Sequence, residues 1–374
     1  MTRLILTADA SSAGCVVSAG LADLAVAIEL RMVWGPHRSD VELAAFLEAR
    51  TTQGLDPSWL YSLPQQRRKL SGFENLGLIE ACERCETVEL WMEMEPNAQL
   101  VLIWLLDYLG PRAKTLGIIL RYVDIALAET DPKDVAKRKF LSVAVNDHHL
   151  EIASLAWQAF QAPTPHAWFN LLSGDLSMLP QLRRCVVEML EELPGRTTGL
   201  GASELRILEL IAAGYVHPFE LFPHFKQRFQ RRVYDYWEAG ALLDRLALAP
   251  IPAVSGLAEW PFTLEMHNEA ARYERYKESR LSLTALGNDI LAGKEDFSRH
   301  NPIDRWWGGT HLTNDNLWRW DPALIAPSRR GRAACRRMGR AQRNPSWCRT
   351  RGDDRDGFRF ALPILQKRHS AASA

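Results

Sequence analysis

Four tryptophans, Trp306, Trp307, Trp318 and Trp320, fall in the stretch Glu295 to Asp321, EDFSRHNPIDRWWGGTHLTNDNLWRWD. Tryptophan carries a large apolar surface and an N–H that needs a partner when buried. Around Gly308-Gly309 the four rings cannot share one helix face, and the glycine pair predicts a sharp turn or a close backbone approach. The stretch therefore predicts a C-terminal clasp that packs its rings onto the preceding domain and closes a core. The functional alternative is an aromatic-lined pocket built from Arg305, Trp306, Trp307 and His311, with Arg305 and His311 as its polar groups.

Upstream, short apolar runs alternate with helical patterns. Arg3 to Thr7 reads as a strand, followed by the polar loop ADASSAG and a helix. Ala22 to Leu30 reads as a second strand, closed by a turn at Met32 to Pro36. Ser39 or Asp40 then caps a helix through Arg50. Asp56 to Leu70 reads as helix with a break at Pro64, and Gly72 to Arg84 as a further amphipathic segment. Thr87 to Met92 is a third strand, Pro96 opens a helix that Gly110-Pro111 closes, and Leu116 to Val123 is a fourth strand. This alternation predicts an α/β domain over residues 1–130 with a parallel, Rossmann-like sheet.

From Pro132 no strand is predicted before Trp260. Leu150 to Gln161, Pro165 to Leu172 and Pro180 to Leu193 read as helices. Ser203 to Gly214, His217 to Phe225 and Lys226 to Leu246 read as three more. Strand-like Phe262 to Met266 and Arg280 to Leu283 follow, and Thr284 to Ala292 closes the unit. Three helices and a two-stranded wing form a winged-helix-like layout, so residues 131–327 are expected as a mainly helical region carrying that unit and the clasp. Lys226, Arg228, Arg231 and Arg232 would suit phosphates, but Asp235, Glu238 and Asp244 follow them. Nucleic-acid binding is therefore disfavoured against packing or protein contacts.

Charge separates the end of the chain from its body. Of 45 basic and 45 acidic residues, 13 and 3 fall in 328–374, leaving 32 and 42 in the body. The last segment has little apolar periodicity and reads as a basic disordered tail. Its GRAQRNPS and GFRFALPIL look like translated bacterial repeat elements, so it is expected to be read-through beyond Pro327, the alternative being a basic nucleic-acid arm. No apolar run approaches the roughly 18 residues that span a bilayer, so no membrane association is expected. Ser12-Ala13-Gly14-Cys15 resembles a lipoprotein cleavage site, but Asp9 cuts short the apolar run before it, and the chain is read as cytoplasmic. The six cysteines form no disulfide-like pattern, and Cys82-x-x-Cys85 lacks further zinc ligands at suitable spacing.

Four segments carry a family resemblance: LILTADASSAG, VELWMEMEPNAQLVLIWLLDYLG, LPQLRRCVVEMLEELPGRTTGLGASELRILELIAAG and LSLTALGNDILAGKEDFSRHNPIDRWWGGTHLTNDNLWRWD. Over Leu4 to Asp321 the chain resembles the uncharacterised bacterial family that carries domain of unknown function 1835. The resemblance implies a fold layout and a bacterial origin, and no activity. The family pattern has Gly-Asp-Ser where this chain has Ala8, Asp9 and Ala10. It also has an Asp at the end of its second strand that is missing around Arg31 to Val33.

Ligands of parallel α/β sheets bind beyond the C-terminal strand ends. Two loops qualify. Asp9, Ser11, Ser12 and Gly14 follow the first strand, where helix-start N–H groups and hydroxyls attract anions. His37 and Arg38 follow the second, Arg38 as a clamp and His37 as acid or base. The blander reading is a capped helix and a rigid turn. No G-x-G-x-x-G, Walker-type loop or G-x-S-x-G elbow occurs, and no cofactor or metal is expected. Asp147-His148-His149 are adjacent in sequence, which rarely lets side chains face one metal. Glu93 and Glu95 lie one strand repeat apart, and Glu95 before Pro96 suits a helix start. The expected function is a small-ligand or protein-interaction module. The alternatives are an enzyme acting on a phosphate- or nucleotide-like anion, and a DNA-associated regulator.

Overall fold

Short runs rich in Leu, Ile and Val build a central sheet. The computed structural model describes residues 2–36, 38–48, 73, 76–222, 233–321 and 327–329. The strands are β1 (Arg3–Thr7), β2 (Leu24–Ala27), β3 (Thr87–Met92), β4 (Ile119–Tyr122) and β5 (Leu141–Ala144). They pair in the order β2-β1-β3-β4-β5, with β1 to β4 parallel and β5 antiparallel to β4. The order of the parallel strands is that of one doubly wound class. The helices of this part are α1 (Ala10–Ser18), α2 (Asp40–Leu47), α3 (Leu78–Glu83), α4 (Pro96–Leu109), α5 (Arg112–Thr115) and α6 (Pro132–Lys137).

Period-two alternation sends side chains to opposite faces. Ile5, Ala25, Ala27 and Trp91 form one core with Ala13, Cys15 and Val16 of α1 and Val135 of α6. Leu4, Leu6, Val26, Val88, Leu90 and Leu120 enter a second core with α2, α3 and α4. Because α1 follows β1 and α4 follows β3, the chain changes face between these two neighbouring strands.

The second core continues into a helical layer of α7 (Asp147–Gln161), α8 (His166–Asn170), α9 (Leu182–Glu191) and α10 (Ala202–Ala212). α4 packs directly on α7 and α9. Beyond it come α11 (Pro218–Leu221), α12 (Tyr236–Leu248), β6 (Val254–Ser255), α13 (Leu264–Asn268), α14 (Ala270–Lys277), β7 (Ser282–Leu283), α15 (Ala285–Leu291) and α16 (Phe297–His300). β6 and β7 pair antiparallel. The tryptophan-rich stretch holds the hairpin β8 (Asp304–Trp307) and β9 (Thr310–Thr313), then β10 (Trp318–Arg319), which pairs with β11 (Ser328–Arg329). Among the described residues no helix is long and apolar enough to cross a membrane.

Several expectations are corrected. The sheet does not end near Thr130, because β5 adds an edge strand. Leu141, Ser142 and Ala144 are exposed there, so no alternating apolar pattern marked it. Phe262 to Met266 is not a wing strand. Thr263 accepts a hydrogen bond from the Met266 N–H and starts α13, while β6 supplies the partner of β7. β2 is shorter than Ala22 to Leu30, although Ile28, Leu30, Met32 and Val33 stay buried as the chain leaves the sheet. α7 begins at Asp147 rather than Leu150, through a capping box of Asn146 and His149. The tail expected from Ser328 is not unstructured at its start, because Ser328–Arg329 pair with β10 as β11. The expected helix over Asp56 to Leu70, the four basic residues at 226–232 and the tail from Arg330 lie outside the described residues.

The β8–β9 turn is pressed against the end of α7. Gly309 donates its N–H to the Phe160 carbonyl at 2.8 Å. Gly308 has φ +53, which favours glycine. A Cβ at Gly309 would lie 1.9 Å from the Gln161 carbonyl oxygen. Gly309→Ala is therefore expected to lower unfolding stability in urea by about 1–3 kcal/mol; an unchanged midpoint would contradict this packing.

Candidate functional site

The change of face between β1 and β3 falls where doubly wound sheets have their ligand crevice, at the C-terminal strand ends. The β1–α1 loop supplies its first wall. Thr7 donates its hydroxyl to the Asp9 carbonyl at 2.9 Å, which fixes the turn into α1. Asp9 is the N-cap: its Oδ1 accepts the Ser12 N–H at 2.9 Å. Ser12 is 1% exposed and faces inward, whereas Ser11 is exposed and Gly14 half-buried. The Ser12 Oγ lies 2.6 Å from Asp9 Oδ2 and 2.5 Å from Glu93 Oε1.

Glu93 reaches Ser12 because strand alternation continues past the end of β3. Glu89, Trp91 and Glu93 fall on one face, the face that α1 covers. Glu89 pairs there with Arg3 and Arg121 at 2.7 Å each and accepts the Trp91 Nε1–H at 2.7 Å. Burial alone would raise Glu89, but these partners outweigh it and hold its carboxyl below the usual range. Glu93 has no such compensation. It is 7% exposed, and its pKa is pushed up to about 8, with burial as the largest cause. Bonds from the Ser12 hydroxyl and the Leu127 N–H favour the ionised form, while the negative charges of Glu95 and Asp9 oppose it. A carboxyl group placed this way is a neutral acid at pH 7 and has the pKa suited to proton exchange near neutrality.

The other side of β3 is sealed by amides. Gln99 of α4 donates to the Glu93 main-chain carbonyl at 2.6 Å and to Gln181 Oε1 at 3.0 Å. Gln181 in turn donates to the Val123 carbonyl at 2.9 Å. Beside them is only a shallow surface depression, lined by Met92, Gln99, Leu120, Tyr122, Leu179 and Gln181.

Of the expected anion site, the structure joins Asp9 and Ser12 by hydrogen bonds. Arg38 is exposed, and its charge acts on Glu42 at the start of α2. His37 lies outside the described residues. The helix-start N–H of Ser12 already serves Asp9, and the groups around the hydroxyl are carboxyls. Those electrostatics run against a phosphate. Glu93 entered the sequence reading only as a neighbour of Glu95, not as a partner of Ser12. Its signal was the alternation Glu89-x-Trp91-x-Glu93 running into the loop.

The second candidate pocket does not assemble. In the hairpin Trp306 is paired with His311 and Arg305 with Leu312, so Arg305 and His311 point to opposite faces. Trp306 is 38% exposed and stacks on His311 with ring centroids 4.6 Å apart, and His311 Nε2 meets Asp304 at 2.7 Å. Arg305 points inward, donating to Glu204 at 3.0 Å and to the Glu192 carbonyl at 3.1 Å. Burial favours the neutral form of Glu204, but the charges of Arg305 and Arg245 hold its carboxyl below the usual range. Trp307 is buried against Phe160 and donates its indole N–H to the Met189 carbonyl at 2.6 Å. These contacts fasten the hairpin to the helical layer.

Elsewhere the side chains of Asp147, His148 and His149 diverge. Asp147 pairs with Lys114, His148 with Glu151, and His149 is buried against Asn146. Burial pushes the Cys82 thiol up to about 12, which opposes thiolate chemistry at Cys82-x-x-Cys85. Compared with models of protein families and with curated proteins, the chain matches none.

Proposed function

We propose that the chain is a small-ligand-binding module whose site is the crevice between the ends of β1 and β3. One observation supports this most: the Ser12 hydroxyl joins Asp9 to Glu93 where the chain changes face. The carboxyl groups there favour a ligand carrying an amine or another hydrogen-bond donor. The small anionic ligand expected from Ser11, Ser12, His37 and Arg38 becomes the less favoured class. Native mass spectrometry of the intact chain against matched panels of small amines and small phosphates tests this. Amine-bearing compounds should be retained, with at least a tenfold loss on Ser12→Ala. Retention of phosphates alone, unaffected by Ser12→Ala, would overturn it.

A second reading concerns α10, α11 and α12 followed by β6 and β7, a winged-helix-like order. Trp237, Trp260 and Leu264 near it are 41%, 49% and 56% exposed, which supports contacts with other proteins. With 32 basic and 42 acidic residues before Ser328, the body of the chain repels nucleic acid. Duplex DNA should therefore keep its gel mobility at low salt when mixed with residues 1–327. A salt-dependent shift would move the reading to a DNA-associated regulator.

A further inference from the structure

The hydroxyl of Ser12 has one hydrogen to donate, yet carboxyl oxygens of Asp9 and Glu93 lie 2.6 Å and 2.5 Å from its oxygen. One hydrogen cannot serve two ionised carboxylates, so the second contact requires a proton on a carboxyl group. Asp9 is exposed and already accepts the Ser12 N–H, while Glu93 is buried. The geometry therefore assigns the proton to Glu93, which donates to Ser12 Oγ, while the Ser12 hydroxyl donates to Asp9. We propose that the Ser12–Glu93 contact is a proton-operated latch across the β1–β3 crevice, closed while Glu93 is protonated and loosened when the proton leaves. The latch concerns the crevice assigned above to a ligand, but its test uses no ligand, so either reading can fail without the other.

The surroundings set the direction of the response. From the β1–α1 loop Asp9 presents a negative charge, and from the β3–α4 loop Glu95 presents another. From α1 come the Ser12 hydroxyl and the thiol of Cys15, which burial and then Glu93 and Asp131 push up. From the 3-10 turn Leu127–Glu129 the Leu127 N–H favours the ionised form, and from α4 Gln99 holds the Glu93 main chain. Ionised Glu93 would share one hydroxyl with Asp9 in a buried place, and the two charges repel. Opening exposes Glu93 and returns it to the ordinary carboxylate range. The closed form then binds the proton more tightly than the open form. Between that ordinary range and about 8, opening gains about tenfold per pH unit, and it levels off above.

Amide hydrogen exchange on the intact chain from pH 5 to 9, corrected for the intrinsic rate, tests the latch. Protection of the Ser12 to Cys15 amides should fall about tenfold per pH unit up to pH 8 and then level off. In Glu93→Gln, which keeps a neutral donor, it should stay flat. The amides of α12 in the unmodified chain serve as an internal reference, and they decide the matter if the variant does not fold. Flat protection of α1 in the unmodified chain would overturn the proposal. So would the same fall in Glu93→Gln, or an equal fall in α12.

Discussion

From Pro96 to Leu106 every residue of α4 is buried, with the sheet on one side and α7 and α9 on the other. A helix apolar all round can only be satisfied between two layers. Each fully buried Leu, Ile or Val in it contributes roughly 1.5–3 kcal/mol, so no arrangement that exposes α4 competes. Its two buried amides are satisfied in ways that extend its reach. Asn97 accepts the Met32 N–H and donates to the Leu30 carbonyl, which fixes the chain leaving β2. Gln99 holds the Glu93 main chain and Gln181. The placement of Glu93 thus follows from the burial of the helix that starts three residues later.

The C-terminal part is fastened by a different device. Arg305 is paired with Glu204 under the β8–β9 hairpin, and Arg319 donates to Asp296 at 2.7 Å, Ser298 at 2.7 Å and the Gly195 carbonyl at 2.8 Å. Buried ion pairs add little net stability, but losing one partner strands the other charge. They therefore act on register: only one placement of the hairpin puts Arg305 on Glu204 while Gly308 and Gly309 meet the end of α7. The tryptophans fill space around that placement.

Much of this was legible in the chain. β1, β3 and β4 follow apolar runs that local pattern alone reveals, and Pro96 and Gly110 mark the ends of α4. β5 was hidden because an exposed edge strand carries no alternating apolar face. Phe262 to Met266 looked like a strand because Phe262 and Met266 are both buried, and the cap at Thr263 decided otherwise. At the crevice, Asp9 and Ser12 were visible as strand, loop and helix start. Glu93 was read only as a strand-face neighbour of Glu95 because its partner, Ser12, is 81 residues away. Only the pairing of β1 with β3 brings them together. Arg305 and His311 fail as a pair for the opposite reason: six residues apart in sequence, they are separated by the pleat of their hairpin.

A single proton held between Glu93 and Ser12 is the central claim, and a direct titration tests it. The carboxyl carbon resonances of glutamate-labelled protein would be followed with pH, with Glu93 assigned by its absence in Glu93→Gln. The account predicts a Glu93 resonance that stays in the protonated position through neutrality and titrates near 8. A resonance that titrates in the ordinary glutamate range, about 4.3, would show an ionised Glu93 at neutral pH and contradict the account.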